Sequence, residues 1–341
     1  MKAMMLHAVI SLDKDENPLR LAEIAVPVPK ENEILIKVSA CGVCHTELDE
    51  IEGRTAPSFF PVIPGHQVVG IVIRKGKAVS KFEKNDRVGV GWFFSACGKC
   101  EYCMTGLENL CSSFMATGRD ANGGYAEYIC VPESSAFIIP DGFTDAEAAP
   151  LLCGGAIGYR SLMLANIKNG DTLGLTGFGA SGHQVLQLSK YLYPCSKVFV
   201  FSRNEKEQQF ALSLGAEWAG DTSTQPPELL SAIIDTTPVW KPVIESLGFL
   251  KAGGRLVINA IRKEDKDKEQ LLKLDYQQHL WMEKEIKSVA NITARDIEEF
   301  LQIADVMNLK PTVTTYPLED ANKALLELKR GTSNGAKVLI I

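Results

Sequence analysis

From residue 172 to residue 290 short β-branched runs alternate with helical patterns, and the first strand-to-helix junction reads Gly177-Phe178-Gly179-Ala180-Ser181-Gly182. Strands are expected at 172–176, 198–202, 217–219, 232–235, 255–260 and 286–290, with helices at 182–193 and 205–214. Repetition of strand, helix and strand at this spacing leaves one economical solution, a doubly wound parallel sheet with helices on both faces. A glycine turn can precede any helix. This one follows an apolar strand and opens a helix, the context in which the backbone can approach a pyrophosphate closely and helix amides point at phosphates. Gly177, Gly179, Ala180, Ser181 and Gly182 are therefore candidate coenzyme-binding residues.

In dinucleotide sites an acidic residue about twenty positions further on normally takes the ribose hydroxyls. Here the second strand runs into Ser202-Arg203-Asn204. A hydroxyl and a guanidinium suit a 2′-phosphate, and the local sequence shows no carboxylate to repel one. NADP(H) is favoured over NAD(H) on that basis, against the plainer reading of Arg203 as a solvated surface side chain.

Upstream of this region the character changes. Runs at 34–38, 68–73, 87–90 and 125–131, separated by Gly, Pro and Asn, read as an irregular, mainly β domain with long loops. A helix is expected over 145–165, with Thr144 as its N-cap. After residue 290 come two amphipathic helices, 294–307 and 318–329, and a last strand at 337–341. The expected division is a catalytic domain at 1–153, a Rossmann coenzyme domain at 154–291, and a return to the first domain at 292–341. With 45% hydrophobic and 23% charged residues the 341-residue chain can bury two such cores. No run of eighteen apolar residues and no N-terminal apolar signal region are present, so a soluble cytoplasmic protein without a membrane partner is expected. A formal net charge of −6 and the lack of a basic block argue against a nucleic-acid partner. The mixed-sign run at 262–269 reads as a solvated loop or helix end.

Nine cysteines would suggest disulfides in a small secreted chain, but these cluster as metal ligands do. Cys97, Cys100, Cys103 and Cys111 stand in C-x2-C-x2-C-x7-C spacing, with Gly98 and Gly106 giving the loop room to curl. Four thiolates without an open position make a closed structural zinc site. An iron–sulfur cluster also takes four cysteines and ranks below zinc. A second set is scattered: Cys44 and His45 in C-G-V-C-H-T-E, His66 in P-G-H-Q, and Cys153 in P-L-L-C-G-G. Two sulfurs and one imidazole leave a tetrahedral ion one open position, which Lewis-acid chemistry requires. Singly, each of these residues is as well explained as a turn histidine or a small buried cysteine; their order and context together carry the case.

On these motifs the chain resembles, essentially end to end, the zinc-containing alcohol dehydrogenases of the medium-chain dehydrogenase family, which pair a GroES-like catalytic domain with a Rossmann domain. The resemblance implies Cys44, His66 and Cys153 as catalytic zinc ligands, two zinc ions per chain, and Cys41 as a neighbour only. It also implies that Thr46 bonds the substrate oxygen and starts a proton relay, and that His45 lies near the coenzyme pyrophosphate. Three departures stand out: Gln67 replaces the carboxylate after the zinc-ligand histidine, Asp49 replaces the distal relay histidine, and Gly335-Ala336-Lys337 replaces a Gly-Arg pair whose arginine touches the coenzyme. Asp49 or His45 would then end the relay, and Lys337 would take over the arginine's contact.

The expected activity is hydride transfer between a nicotinamide coenzyme and a small to medium alcohol or its aldehyde, in a homodimer or homotetramer. Trp92, Phe93, Ile51, Phe59 and Met115 are candidate pocket walls by nearness to the zinc loops. A polyol or other secondary-alcohol dehydrogenase is the nearest rival, although those enzymes carry Glu where Ala149 stands here. A zinc-free quinone reductase would lack both cysteine sets. A metal-stabilised homologue without catalysis is the reading from another class, kept open by Gln67 and Asp49.

Overall fold

The computed structural model describes residues 1–331 and 335–341; the side chain of Ala180 lies outside that description. The chain divides into two compact units, residues 1–156 with 292–341, and residues 157–291.

The first unit is built on a seven-stranded sheet whose longest strand, Glu33–Val43, runs antiparallel to Val68–Lys75, Tyr128–Pro132 and Ala336–Ile340. Its burial is nearly continuous, because this strand is covered on both faces, and register shifts at 35/36 and 38/40 bend it. The C-terminal strand Ala336–Ile340 pairs in parallel with Val313–Pro317 as well, so the end of the chain completes the sheet begun near residue 33. A short hairpin, Lys2–Leu6 with Leu19–Glu23, closes the unit's N-terminal side.

The helix expected over 145–165 is broken. Thr144 caps it through a reciprocal box with Glu147, but the α-helix runs only Asp145–Pro150, followed by a π-turn at Leu151–Gly155 and a second helix at Ala156–Ala165. Pro150 has no amide to give the preceding turn, and Gly154-Gly155 tolerate the wider winding. The π-turn puts Cys153 out of helical phase. The stretch Asp145–Ala165 is also long and apolar enough to cross a membrane by composition, yet its apolar window is 72% buried inside the molecule.

The second unit carries six parallel strands in the spatial order Trp218–Gly220, Lys197–Phe201, Thr172–Thr176, Leu230–Asp235, Leu250–Ile258, Glu285–Ser288. The order reverses between the third and fourth of these, where a doubly wound sheet opens its crevice. Phe199, Phe201, Ile233, Leu247 and Leu256 pack one side of it. The charged run at 262–269 is not wholly solvated: Lys263 is buried and pairs with Asp235, itself fully buried at the end of a central strand. Its ammonium also donates to the carbonyls of Thr237 (2.7 Å) and Val239 (3.0 Å), while Thr176 and Thr237 donate to Asp235.

Candidate active site

The tight link between the Glu33–Val43 strand and the His45–Ile51 helix positions the first set of donors. Cys44 is the helix N-cap: its sulfur accepts from the Thr46 amide at 3.3 Å, and its own amide donates to Glu47 Oε2 at 2.9 Å. The other Glu47 oxygen lies 2.6 Å from His66 Nδ1, both side chains being buried. With that nitrogen engaged, Nε2 is left to face the sulfur of Cys44 at 3.7 Å. The π-turn delivers Cys153, and the donor atoms of Cys44, His66 and Cys153 all lie within 4.8 Å of one another.

The electrostatics fit a cation. The Cys153 thiol, burial and the Glu47 charge together hold the Cys44 thiol well above its usual range. Burial works against a charged His66, yet Glu47 and Cys44 raise its pKa well above normal. Thiols and an imidazole gathered in this way are what a divalent ion deprotonates on binding. Glu50 adds to this: burial, with Glu47 beside it, pushes its carboxyl up to about 8.

The sulfurs of Cys97, Cys100, Cys103 and Cys111 likewise lie within 4.8 Å of one another. Backbone amides turn toward them: Cys100 donates to the Cys97 sulfur at 3.4 Å, and Cys97 and Ser113 donate to the Cys111 sulfur at 3.5 and 3.4 Å. Amides of Lys99 and Cys100 hold Cys97 down to about 6, whereas burial pushes Cys103 up to about 12. Gly98 and Gly106 take positive φ (71° and 72°), which lets the loop close on its sulfurs. All four ligands are cysteine, so the set is closed and fits structural zinc.

The relay candidates lie on the same short helix. The Thr46 hydroxyl has no hydrogen-bond partner among the described residues, and His45 is exposed. Asp49 is buried and ion-paired with Arg54, which also pairs with Glu52. Gln67 is buried against Gly42, where an added Cβ would meet its Oε1 at 2.2 Å. Of the expected pocket walls Trp92 is brought beside a metal donor, its ring 6.5 Å from that of His66. Ile51 and Phe93 belong to the core, and Phe59 and Met115 are exposed on the surface.

Lys337 is a correction. Its ammonium is buried, bonded to the Tyr316 hydroxyl (2.8 Å) and Glu327 (3.0 Å), and is thereby committed to holding the last strand to its neighbours. Two of its three N–H donors are used there, and the side chain is fully buried, which takes the ammonium away from a solvent-accessible phosphate.

In the second unit, Gly177 has φ +79° and donates its amide N–H to the Phe201 carbonyl (2.9 Å); a Cβ there would strike Thr236 Oγ1 at 2.8 Å. Gly179 is the N-cap of the Ala180–Leu192 helix, so the first amides of that helix, including those of Ser181 and Gly182, point toward the turn. Beside it opens a cavity of about 550 Å³ whose lining includes Gly177, Ser202, Arg203, Glu207, Thr237 and Lys266. Arg203 is exposed and makes no hydrogen bond or ion pair among the described residues. The expectation that no carboxylate stands there is overturned: Glu207, five residues on and one helical turn in, accepts from the Ser202 hydroxyl at 2.5 Å and lines the same cavity.

Three carboxyls at these sites escaped the sequence reading: Glu47, Glu50 and Glu207. Glu47 had a signal, since C-x-x-E is a capping-box spacing. The others depend on tertiary packing.

Fold and donor sets together define an oxidoreductase of the dehydrogenase class. Residues 30–141 match the alcohol dehydrogenase GroES-like domain. Over 332 residues the chain is 42% identical to a probable alcohol dehydrogenase, AdhA, of Mycobacterium tuberculosis, covering 96% of this chain and 94% of that protein. An alcohol dehydrogenase of Geobacillus stearothermophilus is 32% identical over 330 residues, covering 94% and 95%. Among solved structures, a thermostable alcohol dehydrogenase from Pyrobaculum aerophilum with cobalt and zinc bound superposes with a TM-score of 0.85 at 25% identity, covering 100% of this chain and 99% of that one. A cinnamyl alcohol dehydrogenase from Sorghum bicolor shares the fold, with a TM-score of 0.84 at 24% identity and coverage of 99% and 97%. The chain belongs to the zinc-containing alcohol dehydrogenases of the medium-chain dehydrogenase family.

Proposed function

We propose that the protein interconverts a small to medium, largely apolar primary alcohol and its aldehyde with NADP(H), using one zinc for the reaction and one for structure. The observation that carries the reading is the convergence of Cys44, His66 and Cys153, two thiols and one imidazole with no fourth protein ligand among the described residues, in a unit whose second set consists of four cysteines. When bound, zinc on the three-ligand set supplies Lewis-acid polarisation of the substrate oxygen, and the nicotinamide supplies or accepts the hydride.

The chain's own residues do the rest. Glu47 fixes the His66 ring so that Nε2 faces the sulfurs. The Thr46 hydroxyl, both donor and acceptor and unclaimed by neighbours, takes the alcohol proton and passes it on. His45 is the better exit: its ring reaches solvent, whereas Arg54 already holds Asp49. The amides at the start of the Ala180–Leu192 helix receive the pyrophosphate, and unpaired Arg203 receives a 2′-phosphate.

Glu207 favours a second reading of the coenzyme: a carboxylate beside Ser202 accepts bonds from ribose hydroxyls and opposes a phosphate, which suits NAD(H). Catalytic efficiency measured with NADPH and NADH on a panel of aldehydes decides between them. A higher value with NADPH supports the proposal; an equal or higher value with NADH assigns the ribose to Glu207 and leaves Arg203 a surface residue.

A further inference from the structure

The buried carboxyl of Glu50 is an odd feature of the metal-bearing unit. Only one of its oxygens is used: Oε1 accepts from the Trp92 indole N–H at 3.2 Å, while Oε2 is buried without a partner among the described residues. For stability alone a carboxyl here is a costly way to meet one indole N–H, since its second oxygen stays buried and unpaired.

What Glu50 does is hold Trp92. The ring is half-buried and stands edge-on to His66 with centroids 6.5 Å apart, and Phe114 packs against it at 5.6 Å. The Arg119 guanidinium lies 5.0 Å from the ring centre, and Arg119 is anchored by two bonds to Asp120 (3.0 and 2.6 Å). The indole therefore has its N–H consumed from one side and a π-face covered by a fixed cation. The surface it has left is hydrocarbon, next to a ligand of the metal set.

We propose that Glu50 is a positioning residue for substrate selectivity: by consuming the Trp92 N–H it fixes this ring as an apolar wall beside His66, favouring alkyl or aryl alcohols over substrates with a second hydroxyl. The inference deepens the alcohol dehydrogenase reading above and rests on it. Glu50 touches no reacting atom and acts only through Trp92.

The test compares wild type with Glu50→Gln, which keeps an acceptor for the indole, and Glu50→Met, which matches the volume without one; Glu50→Leu stands in should the methionine variant fail to fold. KM and kcat are measured for hexanol, its terminal diol and benzyl alcohol. In parallel, acrylamide quenching of the Trp92 emission is measured as the difference from the same protein carrying Trp92→Phe. In Glu50→Met the diol-to-hexanol ratio of kcat/KM should rise by about fivefold or more, mainly through KM, as expected for a changed binding contact. Trp92 should become more easily quenched, and Glu50→Gln should stay near wild type in both readouts. An unchanged ratio and unchanged quenching in Glu50→Met overturn the proposal, as does a Glu50→Gln variant as altered as Glu50→Met. If wild type oxidises none of the alcohols, the substrate reading fails, and the quenching comparison still judges the contact between Glu50 and Trp92.

Discussion

Glu47 links two tasks that the sequence presents separately. Its Oε2 receives the Cys44 amide and so sets the start of the His45–Ile51 helix, while its Oε1 lies 2.6 Å from His66 Nδ1. Glu47→Gln keeps the size and much of the cap but loses the charge facing Nδ1. Losses of partners to metal-bound imidazoles typically cost about 10–100-fold in metal affinity or activity, and zinc competition by a colorimetric chelator should show a loss of that order. Glu52 offers a separate check on the acid side. Burial would raise its pKa, but Lys329, Arg54 and the Leu12 amide prevail and lower it from 4.5 to about 2. A carboxylate depressed in the folded state contributes stability that is complete above its unfolded value of 4.5 and is lost as pH falls through about 2. The urea-midpoint difference between wild type and Glu52→Gln should thus be constant near neutrality and shrink as pH falls below about 4.5; a difference that grows on acidification would contradict the pairing.

The legible elements were those whose pattern is local. Thr172–Thr176, with its glycine turn, and Arg87–Val90 fall where β-branched runs put them, and the Thr144 cap is where an S/T-x-x-E spacing predicts. The gathering of the four cysteine sulfurs was equally plain, because Cys97, Cys100, Cys103 and Cys111 lie in one segment. The π-turn at Leu151–Gly155 was not, since apolar periodicity runs through Pro150 as if the helix were continuous, and nothing local says that Cys153 must turn inward. Glu207 was missed for a different reason: it lies one helical turn into the next element, and its approach to Ser202 exists only once strand and helix have packed. The closed cysteine loop has little apolar substance of its own, so the metal is expected to supply its order. Cys111→Ser should lower Tm, the zinc content falling by one per chain in the same protein, as read by thermal scanning and metal analysis. Undiminished Tm would assign the loop's stability to the fold instead.

At the scale of the molecule, each unit carries its own candidate site and its own buried charge. In the coenzyme unit Lys263 is held by Asp235 and two carbonyls, and removing the lysine leaves a buried carboxylate; breaking such a pair costs about 3–5 kcal/mol. Lys263→Met should therefore destabilise this unit and weaken coenzyme binding, with the metal content of the other unit preserved. The assignment of the reaction to the three-ligand set is tested most directly by kcat for NADPH-dependent aldehyde reduction in Cys153→Ser protein of measured zinc content. The expected result is one zinc per chain where wild type has two, coenzyme still bound, and turnover abolished. Wild-type turnover in a variant that has lost that zinc would contradict the account.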